Sequence, residues 1–191
     1  MAIEIARSLG VTALSLIGCT SPKQIDRYYN KIQKADSLTI VMDMQVPIFG
    51  KMSMIMKVDG NKEYTSAIFD DVEKYTEVIG DKTYTYTQNI LGNWVKTESN
   101  TEEDEASAGE EFEELLKSDN YQYSKDIKKF VLKEGVKPNF LNEMEADSVT
   151  LEIDDNTCII SGDANIEGMV MSFSITIKDL NDTTITLPTV A

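Results

Sequence analysis

Apolar positions in this chain recur in two different rhythms, and the rhythm changes early. From residue 25 the spacing is helical: Ile25, Tyr28, Tyr29, Ile32 and Ala35 fall on one stripe. Ser21 and Pro22 supply a start signal, a capping residue followed by proline at the first helical position. The pattern predicts an amphipathic helix over about Pro22 to Ala35, polar on its back. From Leu38 the period becomes two. Leu38, Ile40, Met42, Met44 and Val46 share one face of a strand that ends near Pro47. Met52, Met54, Met56 and Val58 share one face of the next, and Asp59-Gly60 is a hairpin signal. Further strands are expected over Lys62 to Phe69, Val72 to Ile79, Thr83 to Thr87 and Trp94 to Thr97, with turns at Asp70-Asp71 and Gly80-Asp81. In the fifth, threonines alternate with Tyr84 and Tyr86. Strands this close in sequence, joined by tight turns, must be antiparallel neighbours, so they form a meander.

The alternation then lapses. Glu98 to Glu105 is acidic and reads as a solvated loop, because a run of carboxylates repels itself. It lacks the alternating acidic spacing and central glycine of a calcium loop. Phe112, Leu115 and Leu116 predict a short helix over Glu110 to Lys117. For Tyr121 to Asn142 two readings stand. Ile127, Phe130 and Val131 fit a helix, the reading preferred here, while Phe130-Val131-Leu132 before Gly135 also fits a strand. Alternation returns at Val149 to Ile153, turns at Asp154-Asp155-Asn156, and resumes over Thr157 to Ser161. A turn is expected near Gly162-Asp163, then a long strand over Ile166 to Ile177 and a last one over Thr183 to Leu187, stopped by Pro188. The fold class is therefore α+β, mainly β.

Composition prunes the chemistry. The chain has no histidine, which removes Ser-His-Asp and Cys-His nucleophiles and nearly every zinc site. A net charge of −15 argues against nucleic acid and against a polybasic contact with anionic lipid head groups. Asp70-Asp71 and Asp154-Asp155 sit where turns are expected, and turn aspartates are explained by local hydrogen bonds to backbone rather than by acid–base work. No enzyme activity, cofactor or metal is expected.

The N-terminus points elsewhere. Leu9 to Ile17 is a short apolar run that ends at Leu16-Ile17-Gly18-Cys19, before polar Thr20-Ser21-Pro22-Lys23. This resembles the lipobox of a bacterial lipoprotein signal peptide. The resemblance implies that residues 1–18 are removed, that the Cys19 sulfur is acylated, and that the protein is extracytoplasmic and tied to a membrane by lipid. The alternative is a buried N-terminal helix of a cytosolic domain. With Cys19 acylated, Cys158 is a lone thiol in an apolar strand and no disulfide framework exists.

The remainder, 19–191, is one domain-sized chain with an acidic and helical insert around 98–142. Its order is a helix, a meander, an insert and a second meander. Asp179-Leu180-Asn181-Asp182-Thr183-Thr184-Ile185-Thr186-Leu187-Pro188 and Met52-Ser53-Met54-Ile55-Met56-Lys57-Val58-Asp59-Gly60 are similar to segments of the LolA-like superfamily of envelope lipoprotein domains. That resemblance implies a curved antiparallel sheet, an unclosed half-barrel with helices over its concave face, and a lipid or other apolar small molecule as ligand. Flexible, polarizable methionine suits such a pocket wall. Ile40, Met42, Met44, Met52, Met54 and Met56, with Ile25 and Tyr29 from the helix, are the candidate lining. The same residues serve equally as ordinary core, packed on the Ile25/Tyr29/Ile32 stripe. Tyr84, Tyr86 and Trp94 are a second group, either a cavity rim or cross-strand pairs that stabilise the sheet. The competing function is an anchored envelope protein with a filled core, whose partner is another protein.

Overall fold

A computed structural model describes residues 21–47, 49–67, 72–100, 112–140, 144–166 and 168–190. Cys19 and the apolar run before it lie outside the described residues, as do most of the acidic stretch and the Asp70-Asp71 turn.

The helix α1 spans Lys23–Ile32. Its first turn is closed by backbone: the Gln24 and Ile25 amides donate to the Ser21 and Pro22 carbonyls, both at 2.8 Å. The Ser21 side chain makes no capping bond to this helix, so the expected start is right and its expected agent is not. Ile25, Tyr28 and Ile32 are the buried stripe, as the spacing predicts.

Twelve strands follow among the described residues. They are β1 (Ser37–Val46), β2 (Gly50–Asp59), β3 (Lys62–Ala67), β4 (Val72–Ile79), β5 (Lys82–Gln88) and β6 (Trp94–Asn100). After the insert come β7 (Tyr121–Ser124), β8 (Lys129–Leu132), β9 (Asn139–Phe140), β10 (Met144–Ile153), β11 (Cys158–Ile166) and β12 (Met169–Lys178). All belong to one antiparallel, unclosed sheet in the order β6-β5-β4-β3-β2-β1-β12-β11-β10-β8-β7, with β9 added beside β10. The two meanders join where β1 pairs with β12, Ile40 opposite Ile177 and Met42 opposite Ile175.

Three expectations are corrected. Tyr121 to Phe140 is not a helix but β7, β8 and β9. Tyr121, Tyr123, Phe130 and Leu132 alternate with period two, and Tyr123 pairs with Phe130 across the hairpin. Ile127, which favoured a helix, lies at the turn and is exposed. The expected helix over Glu110 to Lys117 is reduced to a 3₁₀ turn, Glu114–Leu116, followed by another, Ser118–Asn120. Among the described residues there is thus one α-helix, not several helices over the sheet.

Gly162 is not at a turn. It lies within β11, opposite Phe173, and the β11–β12 ladder runs on to the Ile166–Met169 pair. A Cβ on Gly162 would sit 3.0 Å from the Asp147 carbonyl oxygen and 3.0 Å from Val149 Cγ2. The β10–β11 register shifts between Asp147 and Thr150, with Ser148 at φ 53°. The glycine admits that bulge, a usual reason for glycine in a strand interior.

Residues 183–187 form no strand. Their amides go to side chains: Thr183 N–H donates to Ser37 Oγ at 3.1 Å, and Ile185 N–H donates to Asp59 Oδ2 at 2.9 Å. The segment crosses the sheet at β1 and β2 instead of extending it. The closing motif that resembled a last family strand therefore plays a different structural part.

Candidate functional site

The register separates the two faces of the sheet. On one, β1 presents Leu38, Ile40, Met42 and Met44, and β2 presents Val58, Met56, Met54 and Met52 directly opposite them. The same face continues through Phe173, Ile175 and Ile177 of β12 and Cys158 and Ile160 of β11. It runs on through Leu151 of β10 and Phe130 of β8 to Tyr123 of β7. These residues and the α1 stripe form one buried cluster.

In the other direction the apolar face stops. Beyond Met54, Met56 and Val58, β3 places Ala67, Thr65 and Glu63. β4 and β5 then place Lys74 opposite Thr87 and Thr76 opposite Thr85 on that side. The methionines of β2 are therefore the margin of the core. Met42 is 1 % exposed, whereas Met44, Met52, Met54 and Met56 are half-buried against the cluster. The α1 backbone runs closest to β10 and the two 3₁₀ turns.

The predicted lining thus divides. Ile25, Ile40 and Met42 are plain core. Met44, Met52, Met54 and Met56 form a half-buried apolar strip beside it, and Tyr29 of α1 is half-buried against the same core. Such a strip offers an apolar ligand, or an apolar partner, area that burial would stabilise by about 25 cal/mol per Å².

The reverse face carries the second candidate group. Tyr64, Tyr75 and Tyr86 follow one another across β3, β4 and β5, and Lys96 of β6 pairs with Tyr86. Tyr64 and Tyr75 have ring centroids 4.8 Å apart, and Trp94 meets Tyr75 edge-on at 5.3 Å. Lys96 Nζ lies 3.9 Å from the Tyr84 ring centroid. Rings in contact with one another and with an ammonium group are the cross-strand pairs of a stable sheet. Threonines occupy the opposite face of β5, as the alternation predicts. Sequence reasoning missed Tyr64 and Tyr75 as members of this row. Period-two spacing placed them within their strands, but only cross-strand register aligns four strands.

A cleft of about 310 Å³ opens where this row meets the C-terminal segment, lined by Lys57, Tyr64, Tyr75, Thr184, Ile185 and Thr186. Another, of about 410 Å³, lies between residues 131–137 and the β10 bulge. A third, of about 780 Å³, lies along α1 and is lined by Arg27, Asn30, Lys31 and Lys34 with Asn156, Leu180 and Asn181.

Titratable groups show little that would drive chemistry. Asp154 Oδ1 accepts the Asn156 and Thr157 amides at 2.9 and 2.7 Å, which is turn chemistry. Asp43 is held below the usual carboxylate range by the Ser53 hydroxyl and then by Lys51, while its slight burial works against them. Cys158 is a free, fully buried thiol, pushed up to about 12 by burial and then by the nearby Asp154 carboxylate. A thiol so placed is a small hydrophobe, not a nucleophile. Among the described residues, no three His, Cys, Asp or Glu side chains are grouped to hold a metal ion, and no helix is long and apolar enough to cross a membrane.

No protein-family model matches the chain, and no curated protein matches it in sequence.

Proposed function

We propose that this chain is an extracytoplasmic lipoprotein, held at a membrane through acylated Cys19, that binds a lipid or other apolar molecule along the β1–β2 methionine strip. The observation that carries the ligand is the margin itself. Met44, Met52, Met54 and Met56 are half-buried against the core, on an apolar face that gives way to Thr65 and Glu63 beyond β2. Flexible thioether side chains at such an edge adapt to varied acyl shapes. In this reading the sheet is the half-barrel and α1 a partial cover. No covalent chemistry is assigned to it. The anchor is carried by the Leu16-Ile17-Gly18-Cys19 pattern after a short apolar run. Two or more acyl chains on Cys19 give stable attachment where one does not.

A second reading has a specific observation in its favour. Met42 and Ile40 are fully packed, so the strip adjoins a filled core rather than an empty chamber. An envelope protein partner then covers the strip in place of a lipid.

Mass spectrometry of the membrane-extracted protein tests both parts. A first residue at Cys19 bearing acyl chains, with co-purified lipid that is lost in Met54→Glu, is the expected result. Full-length, unmodified chain in the cytosolic fraction overturns the anchor. Acylated protein that carries no lipid and displaces no fluorescent fatty acid overturns the ligand and leaves the protein-partner reading.

A further inference from the structure

The broad cleft along α1 runs against the overall charge of the protein. At a net charge of −15, most surface is acidic. Yet Lys23, Arg27, Lys31 and Lys34 lie on α1 and its first following turn, set off within that stretch only by Asp26 and Asp36. Their spacing puts them on one side of the helix, about 100° wide. All four are exposed. Elsewhere six lysines, Lys51, Lys82, Lys117, Lys129, Lys137 and Lys178, each pair with a carboxylate, and others such as Lys57 and Lys96 lie over tyrosine rings. On α1, Lys31 Nζ donates to the Asp155 carbonyl oxygen at 2.7 Å, and none of the four has an ion pair with a described residue. Stability does not explain the arrangement. Cations gathered on one face and left unpaired repel one another, and only Lys31 and Lys34 are placed to complement the helix C-terminus.

Position supplies the partner. Lys23 is four positions after Cys19, and an extended chain spans at most about 3.6 Å per residue. If Cys19 carries the anchor, the N-terminal end of the basic stripe, at Lys23, stays within about 15 Å of the bilayer. A protein this acidic is repelled by an anionic membrane unless it turns a basic face toward it.

We propose that the α1 stripe is a docking surface for anionic phospholipid head groups. It orients the tethered domain with α1 toward the membrane and the rest of the acidic surface away. Global charge argued against a polybasic contact; the local arrangement reverses that argument for this one face. The orientation rests on the anchored reading of Cys19. The electrostatic contact itself does not, and the test separates the two.

Full chain carrying Cys19→Ala is mixed with vesicles of phosphatidylcholine alone, or of phosphatidylcholine with phosphatidylglycerol, and the bound fraction is measured by sedimentation. Attachment through the apolar run before Cys19 is common to both lipids and is subtracted. Each basic residue near an anionic surface strengthens attachment about fivefold. Expected is a phosphatidylglycerol-dependent gain that disappears in high salt. It should fall at least about tenfold in the Lys23→Gln/Arg27→Gln/Lys31→Gln/Lys34→Gln variant. A milder Lys23→Gln/Lys34→Gln variant removes no hydrogen bond described here and should lose part of the gain. Changing Lys62, Lys82, Lys129 and Lys137 to Gln gives the same loss of charge elsewhere and should keep it. No gain in the parent chain, or equal loss from both sets of substitutions, overturns the proposal. Absence of acyl chains on Cys19 in the native protein overturns the anchor alone.

Discussion

The Tyr28 hydroxyl donates a buried hydrogen bond to the Ile177 carbonyl oxygen at 2.9 Å, tying α1 to β12 across 149 positions of sequence. Ile25 and Ile32 pack on either side of it along the helix. The ring is 2 % exposed, and burial pushes its phenol well above the usual range. Tyr28→Phe keeps the packing and loses the bond, so it should cost about 1–2 kcal/mol. Tyr28→Ala also empties the site and should cost about 3–5 kcal/mol. Urea unfolding measures both. A neutral Tyr28→Phe would mean that the helix is held by packing on the ring alone.

Two methionines opposite one another should behave differently. Met42 and Met54 face each other across the β1–β2 ladder, but only Met42 is sealed. Met42→Ala should destabilise by about 2–5 kcal/mol, the range for a buried large-to-small change. Met54→Ala keeps a wetted edge and should cost no more than about 1.5 kcal/mol, while weakening fatty-acid binding if the strip holds ligand. The ratio of the two unfolding effects tests where the core ends.

The C-terminal segment is clasped by side chains, not by a strand ladder. Ile185 is 4 % exposed, and its amide bonds the Asp59 carboxylate. Thr183 Oγ1 lies 2.9 Å from Thr39 Oγ1 within the same contact. Ile185→Ala should cost about 2–4 kcal/mol and should speed carboxypeptidase trimming of residues 183–190. Asp59→Ala should speed trimming with a smaller loss of stability, since it removes an acceptor and no apolar volume.

Period and turn chemistry made most of this fold legible. Leu38 to Val46 and Met52 to Val58 fell on the expected faces, and Asp59-Gly60 turned the chain as expected, with Gly60 at φ 60°. Three kinds of information were hidden. Which strands meet at a distance, such as β1 with β12, is a tertiary choice that local pattern does not encode. The β7–β8 hairpin was obscured because Ile127 at its turn mimicked helical spacing. Gly162 read as a turn because glycine usually punctuates. Its actual reason, the bulge of β10 against it, exists only once two strands are paired. The candidate strip was legible as a row of methionines. That β2 is where the row runs out depended on Glu63 and Thr65 arriving beside it.

That account of Gly162 is itself testable. Its added methyl would meet the Asp147 carbonyl oxygen and Val149 Cγ2 at 3.0 Å. The obstacle includes backbone, so the bulge must shift. Gly162→Ala should destabilise by about 1–3 kcal/mol, against the small gain expected at an open strand position. Urea unfolding of Gly162→Ala beside the parent chain decides it. A neutral result would mean that the bulge yields freely.

Alkaline stability should reveal the buried thiol. Unfolding returns Cys158 from its raised value, about 12, to its ordinary one near 9. Between those values the folded chain keeps a proton that the unfolded chain releases. Stability therefore falls as pH rises through that window, by up to about 1.4 kcal/mol per pH unit, and is fully present below it. Tyr28 and Tyr121 are raised by burial too, so they act with the same sign, but their ordinary value of 10.0 delays their onset. Cys158→Ala should start from lower stability because of its cavity. It should nevertheless show a flatter curve between pH 9 and 10, with the tyrosine decline following at higher pH. The urea midpoint against pH, for the parent chain and the variant, reads this directly. A thiol reagent should modify the parent chain only at the rate of unfolding, because a fully buried neutral thiol offers no thiolate to react. Parallel pH curves, or fast labelling under native conditions, would mean that Cys158 is reached by solvent.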